Sequence, residues 1–313
     1  MQTINFIIPY FGEFPNYFQL YLDSIKMNPE FHWTIITDNE KTYDYPDNVK
    51  IIHTSFEENK KYIQSKFDFP IELNTPHELC DMKPMYGYIY EDINKGYDFW
   101  GYCDLDVVLG RLRKFITDDV LKYDKVFTQG HMTIMRNNKR MNTLFMQEIN
   151  GEEFYKRVLS VPSSFNFDED FNGNININTI CRSKNIEIYE DEPIADIYTR
   201  SSDFKRVLTN RVEKRTKNYY VWNKGKLIRR IKNDFEWISE EYMYIHLQKR
   251  KMLLKVGDRN MPIKIIPNEF VNLEIAMEQV GQLDNKVKTK KINTQYFRIR
   301  SKNLIVKIRK IIK

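Results

Sequence analysis

Asp104-Leu105-Asp106 sets two carboxylates one residue apart, directly after the aromatic run Phe99-Trp100-Gly101-Tyr102-Cys103. Where a strand breaks into a loop, two such carboxylates reach one side and can share a hard divalent cation, which takes oxygen ligands. A cation held there bridges to phosphate oxygens and offsets the charge growing on a departing nucleotide diphosphate. Asp-x-Asp is a common tripeptide, and a solvated turn is the alternative. The setting narrows it: a helical pattern before, a buried aromatic strand, then Val107-Val108 and Gly110. A second acidic run, Phe167-Asp168-Glu169-Asp170, precedes a helical segment. It can supply a carboxylate for general acid–base work. It is equally the composition that a helix macrodipole favours at its N-terminus, and Asp168 could cap that helix.

The elements that position these groups begin with a buried strand over Ile4–Pro9, a loop at Tyr10–Pro15 and a helix over Asn16–Met27. Strands follow at Trp33–Thr37 and Val49–His53. Strand, helix, strand within about fifty residues is a βαβ unit, which implies parallel pairing with right-handed crossovers. A short helix is expected at Phe56–Lys66. Pro84 suits a first helical turn, where its missing N–H is not needed, so a helix is expected from there to about Asn94. Further helices are expected at Leu112–Leu121, Asn142–Asn150, Glu152–Leu159, 174–184 and 269–282. Lys125–Phe127 and Met132–Met135 flank a turn at Gly130-His131. In open α/β sheets ligands bind at the carboxyl ends of parallel strands. That places Pro9–Gly12, Asp38 and the Asp-x-Asp segment along one edge. Asp38 either accepts from a base or ribose hydroxyl or terminates its strand. Tyr10 either stacks on a uracil or packs in the core. Lys83 either reaches the base or a phosphate or decorates a helix start. His131 either contacts donor or acceptor or is structural.

Composition sets the outer limits. With 42% hydrophobic and 29% charged residues among 313, the chain reads as a globular protein with ample core. No apolar run approaches the roughly 18–20 residues of a membrane span. Three cysteines without a C-x-x-C spacing argue against a disulfide framework or a thiolate zinc site. With no signal-peptide pattern at the N-terminus, a reducing, cytoplasmic setting is expected. The eleven glycines form no G-x-G-x-x-G, and Tyr102 stands where the Gly96/Gly101 spacing would need a P-loop lysine. Handling nucleotide phosphates therefore calls for another device, most directly a metal held by carboxylates.

The run from Lys83-Pro84 through Asp98-Phe99-Trp100-Gly101-Tyr102-Cys103-Asp104-Leu105-Asp106-Val107-Val108-Leu109-Gly110 resembles the GT-A class of nucleotide-sugar glycosyltransferases. It is closest to bacterial enzymes of capsular and surface polysaccharide synthesis. Ile7-Ile8-Pro9-Tyr10-Phe11-Gly12 is similar to their first strand and nucleotide loop. The resemblance covers roughly residues 1–255. It implies a GT-A-like α/β/α sandwich with a mostly parallel central sheet, here a catalytic domain over 1–260, using Mn²⁺ or Mg²⁺. The implied reaction moves a sugar from a nucleotide-sugar donor, UDP-linked by preference, to a lipid-linked or polysaccharide acceptor. Asp104 and Asp106 would hold the metal. A late histidine that completes the metal shell corresponds to His246, with Lys249 and Arg250 as diphosphate partners; the alternatives are a structural histidine on a strand and two surface charges. Imidazole suits Mn²⁺ better than Mg²⁺. Pro9, Tyr10, Asp38, Lys83 and Asp104 would line the donor site, His131 the sugar pocket. Glu169 or Asp170 would be the base if the enzyme inverts configuration.

Residues 261–313 are expected to form a C-terminal helix and a basic tail. Eleven Lys/Arg and no acid lie between 286 and 313, which leaves residues 1–285 near −5 in a chain of net +6. Such a segment gains roughly 1 kcal/mol per basic residue near anionic lipid. Ile305, Val306, Ile308, Ile311 and Ile312 add an apolar stripe. Contact with the inner face of the membrane is one reading, and a solvated, partly disordered tail is another. Nucleic acid is disfavoured, because the body is acidic and carries no such motif. Two other functions fit the same residues: an inactive glycan-binding scaffold of a polysaccharide assembly complex, and a metal-dependent nucleotidyltransferase or nucleotide-sugar hydrolase.

Overall fold

Near-continuous apolar runs make Ile4–Pro9, Phe31–Thr37 and Phe99–Cys103 strands that are buried on both faces. The computed structural model describes residues 2–273 except 172, 199–203, 209–210, 215–216 and 233–235, together with 297 and 301. The chain divides into two discontinuous units. The first comprises Met1–Phe14, Asn28–Leu105 and Arg113–Glu192; the second comprises Pro15–Met27, Asp106–Leu112 and Pro193–Lys313.

The first unit is built on a seven-stranded sheet. Its order is Val49–His53, Phe31–Thr37, Ile4–Pro9, Phe99–Cys103, Met132–Arg136, Lys125–Val126, Ile188–Tyr189. The first four strands run parallel. Met132–Arg136 is antiparallel to both of its neighbours, so the sheet is mixed. The reason is loop length: the few residues between Lys125–Val126 and Met132–Arg136 suffice for a hairpin, whereas a parallel crossover needs a dozen or more. The carboxyl ends of the four parallel strands share one edge, which carries the loops after Pro9, Thr37 and Cys103.

Helix Phe56–Gln64 starts at a capping box in which the Ser55 hydroxyl accepts from Glu58 N–H and the Glu58 carboxylate accepts from Ser55 N–H. The long helix expected after Lys83 is broken instead. Leu79–Met82 is α-helical, Lys83–Met85 is a 3-10 turn and Tyr86–Ile89 is α-helical again. Proline inside a helix removes an intrahelical bond and crowds the preceding turn, so Pro84 marks an interior break and Lys83 stands at it. Leu112–Leu121 is likewise not one helix. It holds two 3-10 turns, Leu112–Lys114 and Val120–Lys122, separated by Phe115-Ile116-Thr117-Asp118-Asp119. Asn142–Asn150 reduces to Lys139–Asn142 and a 3-10 turn at Leu144–Met146. Helices at Phe154–Ser160 and Ile177–Ser183 match the expected positions.

Among the described residues the second unit contains helix Phe18–Lys26 and three sheets, one of them the antiparallel pair Val207–Leu208 and Arg211–Val212. A three-stranded sheet runs Val107–Leu109, Tyr244–His246, Ala195–Asp196. A six-stranded sheet runs Trp237–Glu241, Lys226–Lys232, Lys217–Asn223, Ile263–Ile266, Glu269–Asn272, Leu253–Lys255. Ser24 Oγ accepts from Leu109 N–H at 3.2 Å and Trp222 Nε1 donates to Leu109 O at 2.8 Å, which ties the short strand to helix and sheet. A helix over 269–282 is not formed at its start. Glu269–Asn272 is a strand in register with Ile263–Ile266, and residues 274 onward, with most of the basic tail, lie outside the described residues. Among the described residues no helix is long and apolar enough to cross a membrane.

A side-chain carbon at Gly87 would overlap the Trp100 indole, so the Tyr86–Ile89 helix sits directly on the aromatic strand. Overpacking of this kind typically costs about 1–3 kcal/mol. Gly87→Ala is expected to lower the urea unfolding free energy by that amount. An unchanged midpoint and slope would contradict the close approach.

Candidate functional site

In the first unit, Lys83 is buried and its ammonium is surrounded by oxygen. Nζ lies 2.7 Å from Asp104 Oδ1, 3.3 Å from Asp168 Oδ2 and 2.7 Å from the carbonyl of Gly130. Burial alone would lower its pKa, but Asp104 and Asp168 outweigh that and raise it well above the ordinary value, so it stays charged. Lys83 therefore serves as a counter-ion at the end of the aromatic strand. Asp104 N–H donates to His131 O at 3.0 Å, which fastens the start of the Asp-x-Asp segment to the Gly130-His131 turn.

Asp168 does not cap a helix. Asn176 caps Ile177–Ser183, accepting from Asn178 and Thr179 N–H. Asp168 is buried against Lys83. Burial raises its pKa to about 6, Lys83 opposes the rise, and the charges of Glu169, Asp104 and Asp81 add to it. Its loop is held by the buried Asp81 carboxylate, which accepts from Phe165 N–H at 3.0 Å and Phe167 N–H at 2.9 Å. Glu169 Oε2 accepts from Gly130 N–H at 3.2 Å. A side-chain carbon at Gly130 would run into the Asp168 carboxylate, so glycine is required for the turn to reach this loop. Asp170 points elsewhere: it is exposed and paired with Arg182, which also binds Glu190.

Along the same strand edge, Asp38 Oδ1 accepts from Gly12 N–H at 2.7 Å and Asn39 Nδ2 donates to Gly12 O at 3.0 Å. These bonds pin the loop after Pro9, where Gly12 adopts φ +98°. Tyr10 packs on Phe14 at 5.4 Å between ring centroids and donates its hydroxyl to Glu13 O. Beside them opens a cleft of about 490 Å³ lined by Gly12, Glu13, Phe14, Asp38, Lys41 and Tyr43.

In the second unit, Asp106 and His246 are both buried. His246 Nε2 lies 3.4 Å from Asp106 Oδ1, and Nδ1 lies 2.7 Å from Asp196 Oδ1. Burial pushes the imidazole pKa down, but the two carboxylates prevail and raise it to about 10. Burial likewise opposes ionisation of Asp106, yet His246 and the Lys249 N–H hold its carboxyl well below the usual range. Lys249 thus contributes its backbone N–H to Asp106 Oδ2, while its side chain is exposed. Arg250 is not available to a diphosphate: it is buried, donating to Asn268 Oδ1 at 3.1 Å and Tyr198 O at 3.0 Å. The chain crosses from the first unit to the second between Leu105 and Asp106. The sequence did not mark Asp81, Asp196 or Gln248. Asp168 was visible only as part of an acidic run, and Asp196 lies 50 residues from the histidine it binds.

A sequence model for a family of unknown function (DUF6625) matches residues 6–274. The chain belongs to this family. No curated protein matches it. Among solved structures, this DUF6625 chain is similar to the galactosyltransferase LgtC in complex with donor and acceptor sugar analogs. The identity is 11% and the TM-score 0.32, over 63% of this chain and 75% of that one. A likeness of that size assigns neither fold nor reaction.

The buried carboxyl of this DUF6625 chain gives a signed pH test. Asp168 has a folded pKa of about 6, above the ordinary carboxylate value near 4. Its protonated form is favoured by folding, so its contribution is full below about pH 4 and is lost as pH rises through about 6. Between pH 4.5 and 7.5 the stability of Asp168→Asn relative to the parent should therefore rise by about 2 kcal/mol. Urea unfolding of both proteins at the two pH values measures this; a flat difference would remove the buried carboxyl.

Proposed function

We propose that this DUF6625 chain is a GT-A-like glycosyltransferase. It would move a hexose from a nucleoside diphosphate sugar, UDP-linked, to a hydroxyl of a bacterial surface polysaccharide or its lipid-linked precursor. The observation that carries the reading is the pairing of Asp106 with His246 in the segment that follows Asp104 at the end of a buried strand. Two aspartates and one imidazole make a donor set suited to Mn²⁺ ahead of Mg²⁺. The Asp196 carboxylate on Nδ1 is the outer contact that metal-binding imidazoles ordinarily carry. When bound, the cation would offset charge on the diphosphate.

The remaining roles belong to the chain's own groups. The loop of Pro9 and Tyr10, pinned by Asp38, shapes the cleft for the nucleoside. Lys83 acts through Asp104 and Asp168, fixing the carboxylates and not touching phosphate. The exposed Lys249 side chain is the cation for the diphosphate, and His131 borders the sugar. In an inverting transfer Glu169 takes the proton of the acceptor hydroxyl as its oxygen bonds to the anomeric carbon and the bond to the diphosphate breaks. Asp170, held by Arg182, is set aside as base. The basic tail would hold the enzyme at an anionic membrane face on the cytoplasmic side.

Differential scanning fluorimetry with UDP, GDP and CDP, each with and without Mn²⁺, tests the reading. A ligand that binds the native state raises the melting temperature by mass action. A shift with UDP that requires Mn²⁺ is expected. Asp106→Asn should abolish both that shift and sugar transfer, and it should melt below the parent because buried His246 loses one of its two carboxylates. Full transfer activity in Asp106→Asn would sink the assignment. Binding of a glycan without any nucleotide would favour the scaffold, and release of free sugar or nucleotide without transfer would favour a hydrolase.

A further inference from the structure

We infer that Asp196, braced by Gln248, is a positioning residue that fixes the His246 ring with Nε2 towards Asp106, and so sets how tightly the cation is held. The inference rests on the metal role given above. It deepens that role with two residues that no motif in the sequence marks.

The geometry lies wholly within the second unit. Tyr244–His246 is the middle strand of three, and His246 is in register with Val107 on one side and Asp196 on the other. The backbone locks that register: Ile197 N–H donates to His246 O at 3.0 Å, and Leu247 N–H donates to Asp106 O at 2.9 Å. The Asp196 carboxylate lies 2.7 Å from His246 Nδ1 and accepts on both oxygens from Gln248 Nε2, also at 2.7 Å. A ring anchored at Nδ1 has only Nε2 to offer a cation, and it is directed at Asp106. Outer contacts of this kind typically govern about 10–100-fold in metal affinity.

The backbone supplies a second, independent observation. Gln248 and Lys249 adopt φ +50° and +56° in succession, a left-handed conformation that neither side chain favours. Such strain persists only where the surroundings impose it. Its products are two bonds to two carboxylates: the Gln248 amide reaches Asp196, and the Lys249 N–H reaches Asp106. A turn built for connection alone would place glycine or asparagine there.

Mn²⁺ titration of the full chain by electron paramagnetic resonance, with ¹⁵N–¹H spectra of the histidine rings of metal-free protein, tests this. Asp196→Ala is expected to weaken Mn²⁺ about 10–100-fold and to erase the slowly exchanging Nδ1 proton of His246. Asp196→Asn, whose amide oxygen still accepts from Nδ1, should fall closer to the parent. Gln248→Gly removes the amide while relieving the left-handed strain. It should therefore weaken Mn²⁺ without lowering the melting temperature, an outcome that a purely structural role would not give. Parent-like Mn²⁺ affinity in Asp196→Ala and Gln248→Gly would overturn the inference and leave the metal reading standing. A parent protein that binds no Mn²⁺ would overturn both, and an unchanged His246 spectrum in Asp196→Ala would overturn the inference whatever the metal does.

Discussion

Charge taken out of water has to be matched by opposite charge and by hydrogen bonds, or the group gives up its proton. Both units of this chain are organised around that requirement. In the first, the Lys83 ammonium is satisfied by Asp104, Asp168 and the Gly130 carbonyl. Three separate stretches, the helix break at Pro84, the Gly130 turn and the 165–170 loop, are thereby drawn to one strand end. In the second, His246 lies between Asp106 and Asp196, and a strained turn adds an amide and an N–H. Arg229 repeats the pattern away from these groups: fully buried within a strand, it forks onto Glu213 at 2.9 and 2.5 Å.

Removing one partner from such a cluster leaves its neighbour as an isolated charge in a poor solvent. That asymmetry makes each cluster rigid. A side chain held from several directions has one position, which suits groups that must meet a ligand with fixed geometry. The loops around Asp38 and Gly12, by contrast, are tied by hydrogen bonds at a partly exposed edge and bury no such charge.

What could be read from the sequence is what depends on local pattern. Ile4–Pro9 and the aromatic run ending at Cys103 declare themselves by near-continuous apolar composition. Asp104-Leu105-Asp106 stands out because the strand before it does. Where local pattern misled, a neighbour in space had the stronger voice. Leu112, Ile116 and Val120 repeat with helical spacing, but Arg113 bonds Ile116 O and pairs with Asp118, closing short turns in place of a helix. Glu269–Asn272 follows the strand it pairs with, not the helical composition that comes after. Asp168 and Asp196 owe their places to Lys83 and His246, which lie 85 and 50 residues away and share no spacing rule with them.

The interleaving of the two units bears on how the protein is made. Helix Phe18–Lys26 and strand Val107–Leu109 belong with a body completed only by residues from Pro193 onward. During synthesis these two pieces leave the ribosome long before the strands that cover them, and Leu20 and Val108, which share a buried cluster with Trp222, Ile245 and Phe270 in the finished fold, stay wet in the meantime. The nascent chain thus carries these apolar segments uncovered through a long stretch of its translation. Apolar surface left uncovered in this way is where aggregation competes with folding.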